Sequence, residues 1–324
     1  MKHRILLPLL ALFLLLSGCV SAGTAEQSAD RGEELKIVAA TYPVYLFACA
    51  VTEGVDGVTV ERLNTGEASC LHDYTLSVQD MKKIELAGVI ALNGVELEEF
   101  MEDALAASDA FVIDCSEGVA LLENLDHHHE EEEDHDGHDH GHFDPHIWMD
   151  PENAVQMVNN LVRGFSELDP EHGEEYRNNG ADAVSLLNAW DSALEDLLRE
   201  VRESREGFEI PGLITFHDGF QYFAHAYGLP LLESIEEEAG SEASAHEILE
   251  ITELVKEKDI PVIFTEVNGS DATAKAISRE TGCRVAQLSM CMDGPDGALS
   301  NYFDALMGNM TAIINGFAGE EVAR

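Results

Sequence analysis

Residues 174–205 read EEYRNNGADAVSLLNAWDSALEDLLREVRESR, with Val184, Leu187, Trp190, Leu194, Leu197 and Val201 recurring at three- and four-residue steps. That period lines apolar side chains along one face of a helix. At 1.5 Å per residue such a helix runs on the order of 45 Å, more than one small lobe can cover. On either side the pattern changes to short β-rich runs alternating with amphipathic helices. Before it, residues 35–40, 58–63, 89–92 and 111–114 read as strands, and 44–52, 78–86 and 97–106 as helices. After it, residues 212–215, 229–232, 262–264 and 285–288 read as strands, with helices over 243–258, 272–281 and 301–315. Such alternation belongs to mostly parallel sheets. The expected fold is α/β, with two similar lobes joined by one long backbone helix. In open parallel sheets ligands sit beyond the carboxyl ends of the strands, which places a site in the cleft between lobes.

The N-terminus sets the compartment. Lys2, His3 and Arg4 precede an apolar run over residues 5–16, too short for a permanent span but suited to a signal peptide. Leu16-Ser17-Gly18-Cys19 has the form of a lipobox, in which Cys19 is lipidated and becomes the mature N-terminus. Residues 1–18 are thus read as a lipoprotein signal peptide and 19–34 as a small, polar tether. The remaining roughly 290 residues suit two lobes better than one core. The expected divisions are 35–173 for the first lobe, 174–206 for the linking helix and 207–324 for the second lobe. No other segment is apolar and long enough to cross a membrane, so the expected location is extracytoplasmic and lipid-anchored.

The formal charge is −45, and loss of Lys2 and Arg4 with the signal takes it to about −47. A field of that sign excludes nucleic acid as a partner and argues against charge-driven adhesion to anionic lipid. It concentrates cations near the surface, although salt screens it over roughly 8–10 Å. Apart from Cys19 there are five cysteines, Cys49, Cys70, Cys115, Cys283 and Cys291, with no CxxC spacing. At most two disulfides can form, and the sequence does not specify their pairing.

Residues 126–142 read DHHHEEEEDHDGHDHGH, with His127, His128, His129, His135, His138, His140 and His142 among eight carboxylates and two glycines. Nothing in the run is apolar, so it cannot fold on its own. Its imidazole and carboxylate donors suit zinc and its neighbours, and the alternative is a solvated acidic loop. Three isolated histidines fall where an interlobe cleft would be built. His72 follows the second expected strand, His146 sits in Asp144-Pro145-His146-Ile147-Trp148-Met149-Asp150-Pro151 before a helix, and His217 ends the fifth strand. Each has an acidic neighbour, Asp73, Asp144 or Asp218, of the type that partners the second nitrogen of a metal-bound imidazole. Glu266, at the end of the seventh strand, is a candidate fourth ligand, or else an acid at the start of the next helix. Three neutral imidazoles and one carboxylate favour zinc over manganese, which prefers more oxygen ligands.

At these residues the chain resembles the metal-binding solute receptors of zinc and manganese ABC transporters. The resemblance is carried by His72-Asp73-Tyr74 with Ser77 and Asp80, by Leu92-Asn93-Gly94 before Leu97-Glu98, and by the segment 144–151. Thr215-Phe216-His217-Asp218-Gly219-Phe220-Gln221-Tyr222-Phe223, ending in Tyr227-Gly228-Leu229, carries it further. It covers essentially the whole mature chain. It implies a rigid two-lobed receptor that holds Zn(II), or Mn(II), between lobes through His72, His146 and His217, the His-rich run being similar to that of zinc-selective members. It also implies a membrane permease with a separate ATPase subunit as partner, a lipid tether to the membrane, and a monomeric receptor.

One departure stands out. The family commonly has an aspartate after the eighth strand, in an Asp-Pro-Leu segment, whereas this chain reads Gln287-Leu288-Ser289-Met290-Cys291-Met292-Asp293. Asp293 could reach in from the loop, Glu266 could replace the missing acid, or water could complete the shell. Cys70 could be a soft ligand or pair with Cys115. A non-enzymatic binding role is expected, since the chain lacks a phosphate-binding Gly-x-x-x-x-Gly-Lys-Ser/Thr loop, a His-Glu-x-x-His motif and a nucleophile elbow. The competing readings are an exported zinc-dependent hydrolase with an open water position and a surface metal buffer or adhesin without a transporter.

Overall fold

Alternation along β1 (Leu35–Ala39) shows how the first sheet is layered: Ile37 and Ala39 enter one core while Val38 and the following Ala40 enter another. Successive strand side chains point to opposite faces, so both faces of this sheet are covered. The computed structural model describes residues 34–63, 74–124, 142–236, 244–267 and 269–323, except the side chains of 217, 235 and 236. The signal peptide, Cys19, nearly all of the tether, Cys70, His72 and the six histidines from His127 to His140 lie outside the described residues.

β1 pairs in parallel with β2 (Val58–Arg62) on one side and β3 (Val89–Leu92) on the other, and β4 (Phe111–Asp114) continues beyond β3. The order β2-β1-β3-β4 means the chain crosses back over β1, and ligand sites gather at such switch points. The connections carry α1 (Tyr42–Val51), α2 (Val78–Leu86) and the short α3 (Glu102–Ala106). Thr41 caps α1 through the Val44 amide, and Ser77 and Asp80 form a capping box on α2.

The helix expected over 97–106 is shorter than its sequence suggests. Val95 and Glu96 have left-handed φ of 55° and 62°, and a single 3₁₀ turn over Glu99–Met101 intervenes before α3. The Glu98 side chain is occupied in binding the turn before it, a tertiary demand that local helix propensity does not register.

α4 (Pro151–Leu168) and α5 (Gly173–Ser204) form an antiparallel hairpin. Asp150 caps α4 from a proline-led first turn. α5 is the long helix read from the sequence, 32 residues and therefore about 48 Å. Beyond it come β5 (Leu213–His217), α6 (Gln221–Ala226), β6 (Leu231–Glu236), α7 (Ala245–Glu257), β7 (Val262–Glu266), α8 (Ala272–Thr281), β8 (Arg284–Leu288) and α9 (Ser300–Ala318). β5 pairs in parallel with β6 and β7 with β8, with β5 lying beside β7. The six-residue α6 breaks up what reads from sequence as an aromatic run.

One core runs through both halves: Ile37 and Phe47 share it with Trp148, Leu187, Phe223, Phe264 and Tyr302. Smaller clusters fill the outer faces, around Ile84 and Ile90 in the first sheet and around Ile214, Ile251 and Ile263 in the second half. The long helix therefore braces the halves by burial. Among the described residues no helix is long and apolar enough to cross a membrane.

Candidate metal centre

The loop after β3 is a rigid platform. Asn93 is fully buried, and its backbone N–H donates to Glu98 Oε1 at 2.7 Å while Gly94 N–H donates to Oε2 at 3.1 Å. Gly94 has φ of 89°, and a Cβ there would fall 2.1 Å from Asp114 Oδ1, so only glycine fits. Burial pushes the Glu98 carboxyl up to about 7, against the two amides that favour its charged form. Asn93 Nδ2 then reaches across to the Pro145 carbonyl at 2.9 Å, fixing the backbone beside His146.

His146 is 4% exposed and sits in a polar clamp. Asp144 Oδ1 accepts from the His146 backbone N–H at 2.8 Å and lies 2.7 Å from Nδ1. Burial lowers the imidazole pKa to about 3. The adjacent carboxylate pulls the other way, but desolvation of a fully enclosed cation dominates, so the ring is neutral at physiological pH. A neutral ring donating Nδ1–H to Asp144 carries its lone pair on Nε2, which is the tautomer a metal ligand needs.

Both halves hold this segment. Trp148 Nε1 donates to the Met290 carbonyl at 2.9 Å, and Tyr302 Oη on α9 donates to the Trp148 carbonyl at 2.7 Å. Tyr222 Oη on α6 donates to the Asp144 carbonyl at 3.0 Å and accepts from Leu122 N–H at the same distance. The Trp148 ring meets His146 edge-on at 5.3 Å. Leu122 O accepts from Asp144 N–H at 3.0 Å and Asn124 N–H donates to His142 O at 3.1 Å, which closes the two feet of the His-rich run.

A cavity of about 210 Å³ opens beyond the carboxyl ends of β7 and β8, lined by Glu266, Val267, Ser289, Met290, Met292, Asp293 and Gly294. Glu266 is 6% exposed. Ser289 stands where an aspartate was expected from the resemblance, and its backbone is fixed in both directions by Asn309 on α9, at 2.7 Å each. Ser289 Oγ accepts from the Cys291 N–H at 3.1 Å, supporting the left-handed φ of 57° at Cys291. Asp293 bonds Arg62 at 2.8 Å.

The candidate ligands are thus distributed unevenly. His146 and Glu266 are buried at strand or loop ends, and His217 is the last residue of β5. His72 and the side chain of His217 lie outside the described residues; among the described residues no three His, Cys, Asp or Glu side chains converge on one point. Of the His-rich run only His142 is described, exposed and 3.9 Å from Glu123 Oε1. Among the described residues Cys49, Cys115, Cys283 and Cys291 are free thiols, and the expectation for Cys70 lies outside the described residues. Burial raises the Cys115 thiol well above its ordinary value and Cys291 to about 12, which keeps both protonated and poor ligands.

Residues 37–316 match the family model described as zinc-uptake complex component A, periplasmic. The chain belongs to this zinc-uptake component A family. It is 26% identical over 310 residues to the high-affinity zinc uptake system protein ZnuA of Bacillus subtilis, covering 94% of each chain. It is 28% identical over 285 residues to the zinc-binding protein AdcA of Streptococcus pyogenes, covering 82% of this chain and 52% of that one. The chain therefore spans about half the length of AdcA. A solved structure titled as ZnuA shares the fold, with a TM-score of 0.72 at 24% identity over 88% of this chain and all of that one.

Within the family frame, residues that sequence reasoning passed over are those that build the platform. Tyr222 entered only as part of the stretch that carries the resemblance; it is buried, and its hydroxyl ties α6 to the histidine segment. Asn309 and Tyr302 carried no signal beyond lying at helical spacing on α9. A polar group at an otherwise apolar helix position was the available clue.

Proposed function

We propose that the protein is an extracytoplasmic receptor that captures Zn(II) in the cleft and delivers it to an ABC importer with a membrane permease and a separate ATPase subunit. His72, His146, His217 and Glu266 form the ligand set, with Mn(II) as the lesser cargo. The observation that carries this is the buried, neutral His146 with Nδ1 fixed by Asp144, an arrangement that serves a metal ligand and is costly otherwise. Membership of a family of zinc-uptake components supports the same reading. Lipidation at Cys19 tethers the receptor as a monomer, and the His-rich run collects zinc weakly at the mouth. The two lobes meet along the linking helix at residues 174–206.

Competitive zinc titration of the chain with and without residues 126–142 tests the proposal. One tight site should survive the deletion and weaken by more than about 100-fold in His146→Ala, beyond the range found for residues that only orient ligands. Disappearance of the tight site on deletion would sink the cleft reading.

A further inference from the structure

Arg62 ends β2 on the first sheet and crosses to the loop after β8. Its Nη2 donates to Asp293 Oδ1 at 2.8 Å and to the Gly294 carbonyl at 3.3 Å. The guanidinium lies over the Tyr42 ring at 4.8 Å and near Tyr45 at 6.0 Å. Tyr42 is itself fixed, donating to the Asp296 carbonyl at 3.0 Å and accepting from Asn301 Nδ2 at 2.9 Å. The fit is close: a Cβ on Gly294 would fall 2.0 Å from Tyr42 Oη. Arg62 Nη1 is buried and makes no hydrogen bond among the described residues. Asp293 lines the same cavity as Glu266 and as Ser289, the residue that stands where an aspartate was expected.

We propose that Arg62 sets metal selectivity by withholding Asp293 from the ion. This rests on the receptor reading above. An exposed ion pair by itself contributes little, and a divalent ion could outbid it. The obstacle is what would be left behind. If Asp293 turned to the metal, the guanidinium would remain with Nη1 already unsatisfied, facing a dication without its counter-charge. With Asp293 withheld, the donor set stays at three imidazoles and one carboxylate, which favours zinc. With Asp293 released, a second carboxylate joins, the kind of oxygen-rich set that manganese prefers.

The test is to titrate Zn(II) and Mn(II) into the full chain by chelator competition, for wild type, Arg62→Met, Asp293→Asn and the double variant. Methionine keeps apolar bulk against Tyr42, and thermal melting reports folding. Arg62→Met should lower the zinc-over-manganese affinity ratio about tenfold or more, mainly by tightening manganese, and Asp293→Asn in that background should restore it. Asp293→Asn alone should leave the zinc-over-manganese ratio within about twofold of wild type, since its carboxylate is not on the ion and the uncompensated guanidinium weighs on both dications alike. An unchanged ratio in a folded Arg62→Met, with the tight site intact, would overturn the selectivity role and leave the receptor reading standing. Loss of zinc binding in Asp293→Asn alone would overturn it too, by making Asp293 a ligand already. Should Arg62→Met not fold, that single variant still decides. Absence of any tight site removable by His146→Ala would overturn both.

Discussion

His142 and His146 are four residues apart and stand in opposite conditions. The His142 side chain is 65% exposed and 3.9 Å from Glu123 Oε1, whereas that of His146 is 5% exposed and held 2.7 Å from Asp144 Oδ1. One ends a run with seven imidazoles, and the other is a single ring in a built socket. The difference teaches that donor number and donor preparation are separate quantities. Many imidazoles in one run raise capacity, but a donor that folding has not prepared must be ordered and desolvated when an ion binds. At His146 folding has already covered those costs, through Asp144, Trp148, Tyr222 and the Asn93 contact to Pro145.

The largest expected break comes from Trp148→Ala. It removes a fully buried ring and the bond that ties the histidine segment to Met290, so stability should fall by about 3–5 kcal/mol in urea denaturation. Zinc capture by the loop should persist while the fold holds, separating capacity from preparation.

Acid should distinguish the two histidines next. The His146 pKa is lowered from 6.5 to about 3 by burial, so the unfolded chain binds more protons than the folded one between those values. The stability from keeping this ring neutral is full above about 6.5 and is lost as pH falls towards 3, on the order of a few kcal/mol. Glu98, raised to about 7, acts with the opposite sign between about 4.5 and 7, so the total curve mixes both. The measurement is therefore the difference between wild type and His146→Asn in metal-free buffer. No narrowing of that difference on acidification would show that His146 is not held neutral by the fold.

The smallest effect expected is that of Asp144→Asn, which keeps the shape but blurs the tautomer. Zinc affinity at the tight site should drop about 10–100-fold with little loss of stability, and the weak sites of the His-rich run should not change. Equal loss at both classes of site would mean that the contrast drawn between the histidines is wrong.

Much of this was legible in the chain itself. Four strands before the long helix and four after it follow from runs of β-branched and apolar residues, and α5 departs from its expected limits by one residue at each end. Periodicity reports local geometry well when a segment is long and one-faced. It failed at residues 97–106, where Glu98 serves a turn, and at α6, where aromatic residues mask a six-residue helix. His146 and Glu266 were legible as polar residues at the ends of apolar runs. The partner of Asp293 was not, because Arg62 lies 231 positions away and nothing local joins them.

By itself, then, the sequence determined the alternation of strands and helices, the long brace, the acidic field and the concentration of imidazoles before residue 143. These depend on near neighbours and on composition. Only tertiary structure decided which histidine is desolvated and which carboxylate faces it. It also decided that Ser289 is held by Asn309, and that Asp293 is taken by an arginine from the other sheet. Burial and the Arg62–Asp293 pairing are set by groups far apart in the chain, and even the tautomer that Asp144 fixes two residues from His146 matters only once packing has desolvated the ring.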